Sequence, residues 1–375
     1  MEESSGIPLF YPHIAGSALA EVEAVLSSRW IGQGPKSAEF EQRIEHLFCP
    51  DMSAVAVNSG TSALHLAYIL AGIGEGDEVL SPVFTCTATN IPLLYLKAQP
   101  VFVDIEIDTM NISLDDMRRK ITPRTKAVVV VDYGGSPCDY EGIRNFCDEH
   151  GLTLISDAAH SLGTKVNGKN ISHYCDFIVF SFQAIKTVTT ADGGLLGIKD
   201  KSLVEKAKRI RWFGIDRESK QQGIWQNDIF EIGYKYQLSD LCAAIGLANL
   251  NEYPAIITKR REILDRYYKE ISNPNICLMS SQRYTSSWIK EIGAWLMTIR
   301  CKHRTELMDF LRREGIESAQ VHYRNDRYSI FSDYTNSCPN MDEVEDEYLV
   351  IPSHTRLKET DVSRIVKALN SFEHE

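Results

Sequence analysis

Three short pieces of this chain hold residue types that can do chemistry. Lys186 stands in Phe180-Ser-Phe-Gln-Ala-Ile-Lys-Thr-Val-Thr-Thr-Ala-Asp-Gly-Gly194, between two apolar runs. A lone lysine is ordinarily a solvated surface charge, but Thr187 to Thr190 form an uncharged, β-branched loop. An amine partly withdrawn from water loses proton affinity and becomes a usable nucleophile. Asp157 follows the apolar run Leu152-Thr-Leu-Ile-Ser156 and precedes Ala-Ala-His-Ser-Leu-Gly163. A carboxylate there needs a partner. It is either a helix cap or the counter-charge of a protonated ring nitrogen, which lets a conjugated ring act as an electron sink. The third piece, Val57-Asn-Ser-Gly-Thr-Ser-Ala-Leu64, has the form of a strand, a small-residue turn and a helix start. Free N–H groups and the helix dipole make such a terminus a phosphate site.

Elements of one kind must carry all three. From about residue 50 to 200, short apolar runs alternate with helical stretches. The expected strands are Ala54–Val57, Glu78–Leu80, Pro100–Val103, Lys126–Val131, Leu152–Ser156, Phe177–Phe182 and Gly194–Ile198. Near-continuous apolar runs belong to strands covered on both faces. The alternation predicts an α/β fold with a mostly parallel, seven-stranded sheet sandwiched by helices. Ligands of such sheets sit at the carboxyl ends of the strands, where Asn58 to Thr61, Asp132, Asp157 and Ser181 collect. Beyond residue 200, helices are expected over Lys201–Trp212, Leu238–Leu250 (capped by Ser239) and Ile256–Ile271, with an irregular loop at Gln221–Glu231. Two strand-like pieces, Ala294–Arg300 and Ser318–Tyr323, and helices at His303–Glu314 and Glu359–Phe372 describe a smaller α+β unit. The division is drawn as 1–250, with an N-terminal arm over 1–50, and 251–375. Gly72-Ile-Gly-Glu-Gly76 mimics a dinucleotide fingerprint, but its third glycine is misplaced and it follows a helix; a turn is expected there.

The 375-residue chain has a net charge of −11, which argues against nonspecific nucleic-acid or anionic-membrane binding. Nine cysteines without a C-x-x-C pair or a Cys/His cluster at metal-ligand spacing suggest reduced thiols, no metal and a cytoplasmic protein. The acidic start Met1-Glu-Glu-Ser-Ser lacks a signal-peptide pattern, and no apolar run approaches membrane-spanning length.

In order and spacing the motifs resemble the DegT/DnrJ/EryC1/StrS sugar aminotransferases, within the fold-type I aspartate aminotransferase superfamily. The likeness begins at Trp30-Ile-Gly-Gln-Gly-Pro-Lys36 with Phe40-Glu41. It continues through Asn58–Leu64, Asp157-Ala-Ala-His160 and Ser181–Lys186, and ends at Gly233-Tyr-Lys-Tyr-Gln-Leu-Ser-Asp240 with Ala243–Leu247. The resemblance implies pyridoxal 5′-phosphate as cofactor. It makes Lys186 the Schiff-base lysine and proton shuttle, and Asp157 the partner of the pyridine nitrogen. His160 then lies near the ring hydroxyl, and Gly60, Thr61 and Ser181 hold the phosphate. Ser62 and Gln183 complete the cofactor-contacting set. It further implies a homodimer with shared active sites, in which Lys235 reaches the phosphate of the neighbouring subunit; many relatives carry Asn there.

Two departures bear on the site. Relatives place an aromatic residue over the cofactor ring in the stretch matching Ser81–Thr89. Here that position is Cys86, with Phe84 on the opposite face if the segment is extended. Where relatives carry a His-Tyr-x-Pro-x-His stretch in the substrate pocket, this chain has His322-Tyr-Arg-Asn-Asp-Arg327. That makes His322, Tyr323, Arg324 and Arg327 the candidate substrate residues, the arginines as forks for phosphate oxygens. The expected partners are glutamate as amino donor and a nucleotide-linked keto-deoxysugar as acceptor. The spacing from Lys186 to Gly193-Gly194 and the Gly-Tyr-Lys-Tyr variant favour C4 over C3. A small phosphorylated ketone or an inosose is the alternative acceptor. A non-catalytic, cofactor-binding regulator is the alternative of another class. The sugar dehydratases on this scaffold, with histidine in place of the lysine, are disfavoured by Lys186.

Overall fold

The computed structural model describes residues 6–226 and 228–374, with the backbone alone at residue 218. The acidic start Met1–Ser5 lies outside them. The seven expected strands all form: β1 (Ser53–Val57), β2 (Glu78–Pro82), β3 (Gln99–Val103), β4 (Thr125–Val131), β5 (Thr153–Asp157), β8 (Phe177–Ser181) and β9 (Gly194–Ile198). Between β5 and β8 lies a small antiparallel hairpin, β6 (Lys165–Val166) with β7 (Lys169–Asn170). The sheet order is β1-β9-β8-β5-β4-β2-β3. Only β9 runs against its neighbours, pairing antiparallel with both β1 and β8. The start of β9 therefore meets the carboxyl ends of β1 and β8, and Gly194 stands opposite both Val57 and Ser181.

Both faces of the sheet are covered, which explains the unbroken apolar runs. Val128, Val130, Leu154 and Ile178 join Phe40, Ile44 and Phe146 on one side. Val55, Val129, Ile155 and Val179 join Leu64, Tyr68 and Ile210 on the other. Ser239 caps the helix Asp240–Asn251 by accepting from the Cys242 N–H. The helix Tyr253–Glu270 then delivers Ile257, Ile263, Leu264 and Tyr267 to another apolar cluster, built on the three-stranded antiparallel sheet of β10 (Cys277–Leu278), β11 (Met297–Arg300) and β12 (Tyr348–Ile351). Ile7 enters that cluster too, through a bridge to Ile316. The glycines at 72 and 76 take positive φ in a turn before β2, as a turn requires and a dinucleotide loop does not. Among the described residues, no helix is long and apolar enough to cross a membrane.

Two expected strands differ. Ser318–Tyr323 forms no strand, and its backbone pairs with β12 at the isolated Ala319–Val350 bridge. The Tyr133 hydroxyl donates to the Val321 carbonyl and the Tyr348 hydroxyl to the His322 carbonyl, so side chains capture groups a ladder would use. The run Ala294–Arg300 is a strand only from Met297. Before it, Trp295 and Leu296 both donate their N–H groups to the Gly134 carbonyl, which bends the chain toward the large sheet.

Candidate active site

The carboxyl ends of β1, β5 and β8 open onto a cavity of about 330 Å³ lined by Gly60, Thr61, Cys86, Asp157, His160, Ser181, Gln183, Lys186, Trp295 and His322, among others. The β8–β9 loop presents Lys186 as a tied structure. Phe182 N–H bonds the Gly193 carbonyl, and Thr190 N–H and both threonine hydroxyls at 189 and 190 return to the Phe182 carbonyl. Asn249 secures the Thr189 carbonyl from the helix behind. The lysine is thus held from a closed loop whose stretch Thr187–Thr190 is buried. Its amine lies 3.4 Å from the centroid of the Trp295 ring. Burial draws its pKa down to about 7, against the opposing pull of Asp157 and Cys86.

Asp157 is the last residue of β5 and is almost fully buried. Its carboxylate accepts from Thr89 Oγ1 at 2.8 Å and from the Ala159 N–H at 3.2 Å. Burial raises its pKa, and those two donors and the Lys186 charge only partly counter it.

At β1 the chain turns into the helix Gly60–Leu70. Ser59 uses its hydroxyl on the Ser62 N–H and its carbonyl on the Ala63 N–H. The Gly60 and Thr61 amides have no acceptor among the described residues, and both residues line the cavity. Close packing shapes this end: a Cβ on Gly194 would lie 2.3 Å from the Ser59 carbonyl carbon, and one on Gly60 3.0 Å from Ser181 Cβ. The result is a tight, anion-ready helix terminus.

His160 and His322 form the far wall, with ring nitrogens 3.4 Å apart. The Gly134 N–H donates to His160 Nδ1, which leaves the proton of a neutral ring on Nε2. Burial first, then the Lys186 charge, lowers both imidazoles, His322 to about 3.

Of the residues singled out in the sequence, nine thus meet at one cavity: Gly60, Thr61, Cys86, Asp157, His160, Ser181, Gln183, Lys186 and His322. Cys86 faces it, whereas Phe84 packs away against Tyr133 and Tyr348. Ser62 does not line it; its hydroxyl is engaged with Asn58 and Ser59. Lys235 is exposed near Phe213 and lies outside this chain's cavity. Arg324 and Arg327 are placed away from the other candidates. Arg324 is 1% exposed and spends its guanidinium on Asp326, Asp342 and Glu345, and Arg327 bonds Glu345. Their charges are neutralised internally, and neither lines the cavity. Tyr323 packs edge-on against Tyr328 and is likewise outside it. Sequence reasoning missed Trp295, hidden in an apolar run, and Thr89, an unremarkable threonine until the fold sets it on Asp157.

An amine, a buried carboxylate and an anion-ready helix end around one cavity suit a phosphorylated pyridine aldehyde. The DegT/DnrJ/EryC1/StrS aminotransferase family profile matches residues 12–370. The chain belongs to that family. Among solved structures it is similar to AtS13 from Actinomadura melliaura, with 33% identity, a TM-score of 0.92, and coverage of 99% of this chain and 100% of that one. It is similar to the PLP form of Spr1654 from Streptococcus pneumoniae, with 27% identity, a TM-score of 0.88 and 98% of each chain covered. DesI, solved in the presence of its TDP-sugar product, aligns at 27% identity and a TM-score of 0.87, covering 98% of this chain and 93% of that one. The protein is therefore a pyridoxal-phosphate-dependent sugar aminotransferase of fold-type I. The aminotransferase keeps its cysteines as free thiols throughout the described residues.

Proposed function

We propose that this aminotransferase moves an amino group from glutamate to the keto carbon, C4 in preference to C3, of a nucleotide-linked keto-deoxysugar. The observation that carries the reading is the Lys186 amine and the Asp157 carboxylate facing one cavity beside the Gly60–Thr61 amides. Bound pyridoxal phosphate supplies a conjugated ring that stabilises negative charge at the carbon losing its proton. Lys186 Nζ holds the cofactor and carries the proton between the two carbon positions. Asp157 keeps a proton on the ring nitrogen by remaining anionic beside it. Gly60, Thr61 and Ser181 bind the phosphate. Cys86 lies over the ring, His160 near its hydroxyl, Gln183 contacts the cofactor, and His322 meets the acceptor.

C4 is supported by the length of the β8–β9 loop and by the Gly233-Tyr-Lys-Tyr segment. A nucleotide-linked acceptor is preferred to a small phosphorylated ketone or inosose: that alternative rests on the altered 322–327 stretch reading a smaller anion, and the arginine charges of that stretch are used elsewhere. The working unit is proposed as a homodimer acting in the cytoplasm. The segment before Lys235 supports the dimer: Trp225, Ile229, Phe230 and Ile232 are 72%, 52%, 83% and 80% exposed, an apolar surface that a second subunit would cover. The unit boundary is proposed near residue 250, where one helix ends and the next turns toward the small sheet.

Glutamate added to the holoenzyme should bleach its yellow colour and yield 2-oxoglutarate. A panel of 4-keto and 3-keto nucleotide sugars should then restore the colour, the 4-keto compounds faster. Bleaching without restoration by any nucleotide sugar, but with restoration by a phosphorylated ketone or inosose, would defeat the acceptor assignment. No bleaching by glutamate would defeat the donor. Absence of turnover with every pair would leave the non-catalytic regulator.

A further inference from the structure

Trp295 belongs to β11's approach loop, more than 100 residues from Lys186 in sequence, yet its ring lies directly beside the lysine amine. Its ring face lies 3.4 Å from Nζ. The ring has several fixed neighbours. Its Nε1–H donates to the carbonyl of Ile185, the residue before the lysine, at 2.9 Å. His160 lies against it at 4.1 Å between centroids, and Phe10 stacks beyond at 6.2 Å. Its backbone is held equally firmly: N–H to the Gly134 carbonyl, and carbonyl oxygen to Arg260 Nη1 and Ser353 Oγ. A ring bonded at Nε1 and anchored through its own backbone keeps its place when the lysine moves.

We propose that Trp295 is the positioning residue for Lys186, the surface on which the released amine rests while it holds a proton. The inference relies on Lys186 being the cofactor-linked lysine and adds where that amine goes when the link is broken. Transamination requires the amine to leave the cofactor, hold the proton removed from one carbon and return it to another. An ammonium in a low-dielectric cavity is costly without a partner. The negative face of an indole offers one that neither accepts the proton nor forms an ion pair too strong to release it. The other titratable groups facing this amine are Asp157 and Cys86, which favour the charge, and the neutral imidazoles of His160 and His322. Asp157 is committed to the cofactor ring, so the indole is the partner that stays free for the amine.

Two variants separate the ring from its hydrogen bond. Trp295→Phe keeps an aromatic face and loses the bond to Ile185, while Trp295→Leu loses both. The holoenzyme is converted by glutamate to its pyridoxamine form, in which the lysine is free. Amine labelling with formaldehyde and cyanoborohydride, mapped to the Lys186 peptide, is followed against pH. Removing a partner that favours the ammonium lowers the protonation midpoint. The Leu variant should therefore move it down by about half a pH unit or more, and the Phe variant by much less. For the glutamate half-reaction, the Leu variant should lose about tenfold in kcat with KM little changed. A Leu midpoint equal to that of the parent, or equal shifts in Phe and Leu, would overturn the role of the ring face. Should the Leu chain fail to fold, the Phe chain still decides: a midpoint shift of half a pH unit there assigns the effect to the hydrogen bond. If borohydride reduction of the parent labels a lysine other than Lys186, the reading of the site fails instead, and the two failures are told apart.

Discussion

The Thr89 hydroxyl donates to the Asp157 carboxylate across 2.8 Å, and both residues are almost wholly buried. Burial already pushes this carboxyl upward, and Thr89 is the first counterweight. Thr89→Val keeps the volume and removes the donor, so Asp157 protonates at higher pH and pairs less well with the cofactor ring. A hydrogen bond to a charged group contributes about 1.5–3 kcal/mol. Cofactor affinity, followed by fluorescence titration, should fall roughly ten- to hundredfold, and the acid limb of activity should move to higher pH. Thr89→Ser should restore most of both. An unchanged dissociation constant in the Val variant would remove Thr89 from the site.

Lys186 ties stability to pH with a definite sign. Its pKa is about 7 in the folded chain, against an ordinary lysine value of 10.5. Between those values the unfolded chain binds more protons, so the stability of the cofactor-free protein rises with pH through that window. Below pH 7 the lysine is protonated in both states and the full cost of burying its charge remains. Lys186→Met removes that cost. The cofactor-free Met variant should melt roughly a few degrees above the parent at pH 6.5, and the gain should shrink steadily toward pH 9. A gain that grows with pH would show that the amine is not strained by burial.

How much of this could be read from the chain follows from the range of the forces involved. The seven strands of the large sheet were legible because both faces are covered, so Val128, Val129 and Val130 could all be apolar without breaking any pattern. Lys186, Asp157 and the Gly60 turn were legible because each chemistry-bearing residue sits at a strand end, where sequence texture changes. Trp295 and Thr89 were not, since their roles depend on contacts across 110 and 68 residues of chain. Ser318–Tyr323 had strand composition, but two tyrosine hydroxyls from elsewhere claimed its carbonyls. The arginines at 324 and 327 had the right fork for a phosphate. Their neutralisation by Asp342 and Glu345 comes from a helix and turn that no local pattern announces.

That cluster has its own consequence. Arg324 forms a two-bonded ion pair with the nearly buried Asp326 and shares Glu345 with Arg327. Removing one partner of a buried ion pair leaves an uncompensated charge and costs about 3–5 kcal/mol, whereas a surface pair contributes about 1 kcal/mol or less. Arg324→Ala should therefore lower unfolding free energy in urea by several times more than Arg327→Ala. Neither should alter the KM for the keto acceptor in the fraction that remains folded. A raised acceptor KM with unchanged stability would return Arg324 to the substrate.

The proposed sharing of sites between subunits is tested by complementation. Lys235 is exposed, sits over the Phe213 ring at 5.2 Å, and its carbonyl accepts from Asn58 beside the phosphate turn of its own chain. It lines no part of that chain's cavity, so a cofactor contact would have to be made across an interface. A Lys186→Ala homodimer has no functional amine, and a Lys235→Ala homodimer lacks the donated cation at both sites. Lys235→Ala alone should weaken cofactor phosphate binding by about tenfold, the loss of one charge-assisted contact. In a mixed dimer, one site joins the intact Lys186 of one chain to the intact Lys235 of the other, while the second site carries both defects. Mixing the two inactive or weakened chains under conditions that exchange subunits should raise cofactor affinity and activity above the sum of the separate samples, toward half that of the parent per dimer. Additive activity after demonstrated exchange would mean that Lys235 serves its own chain or none, and full activity in an isolated monomer would dismiss the shared site altogether.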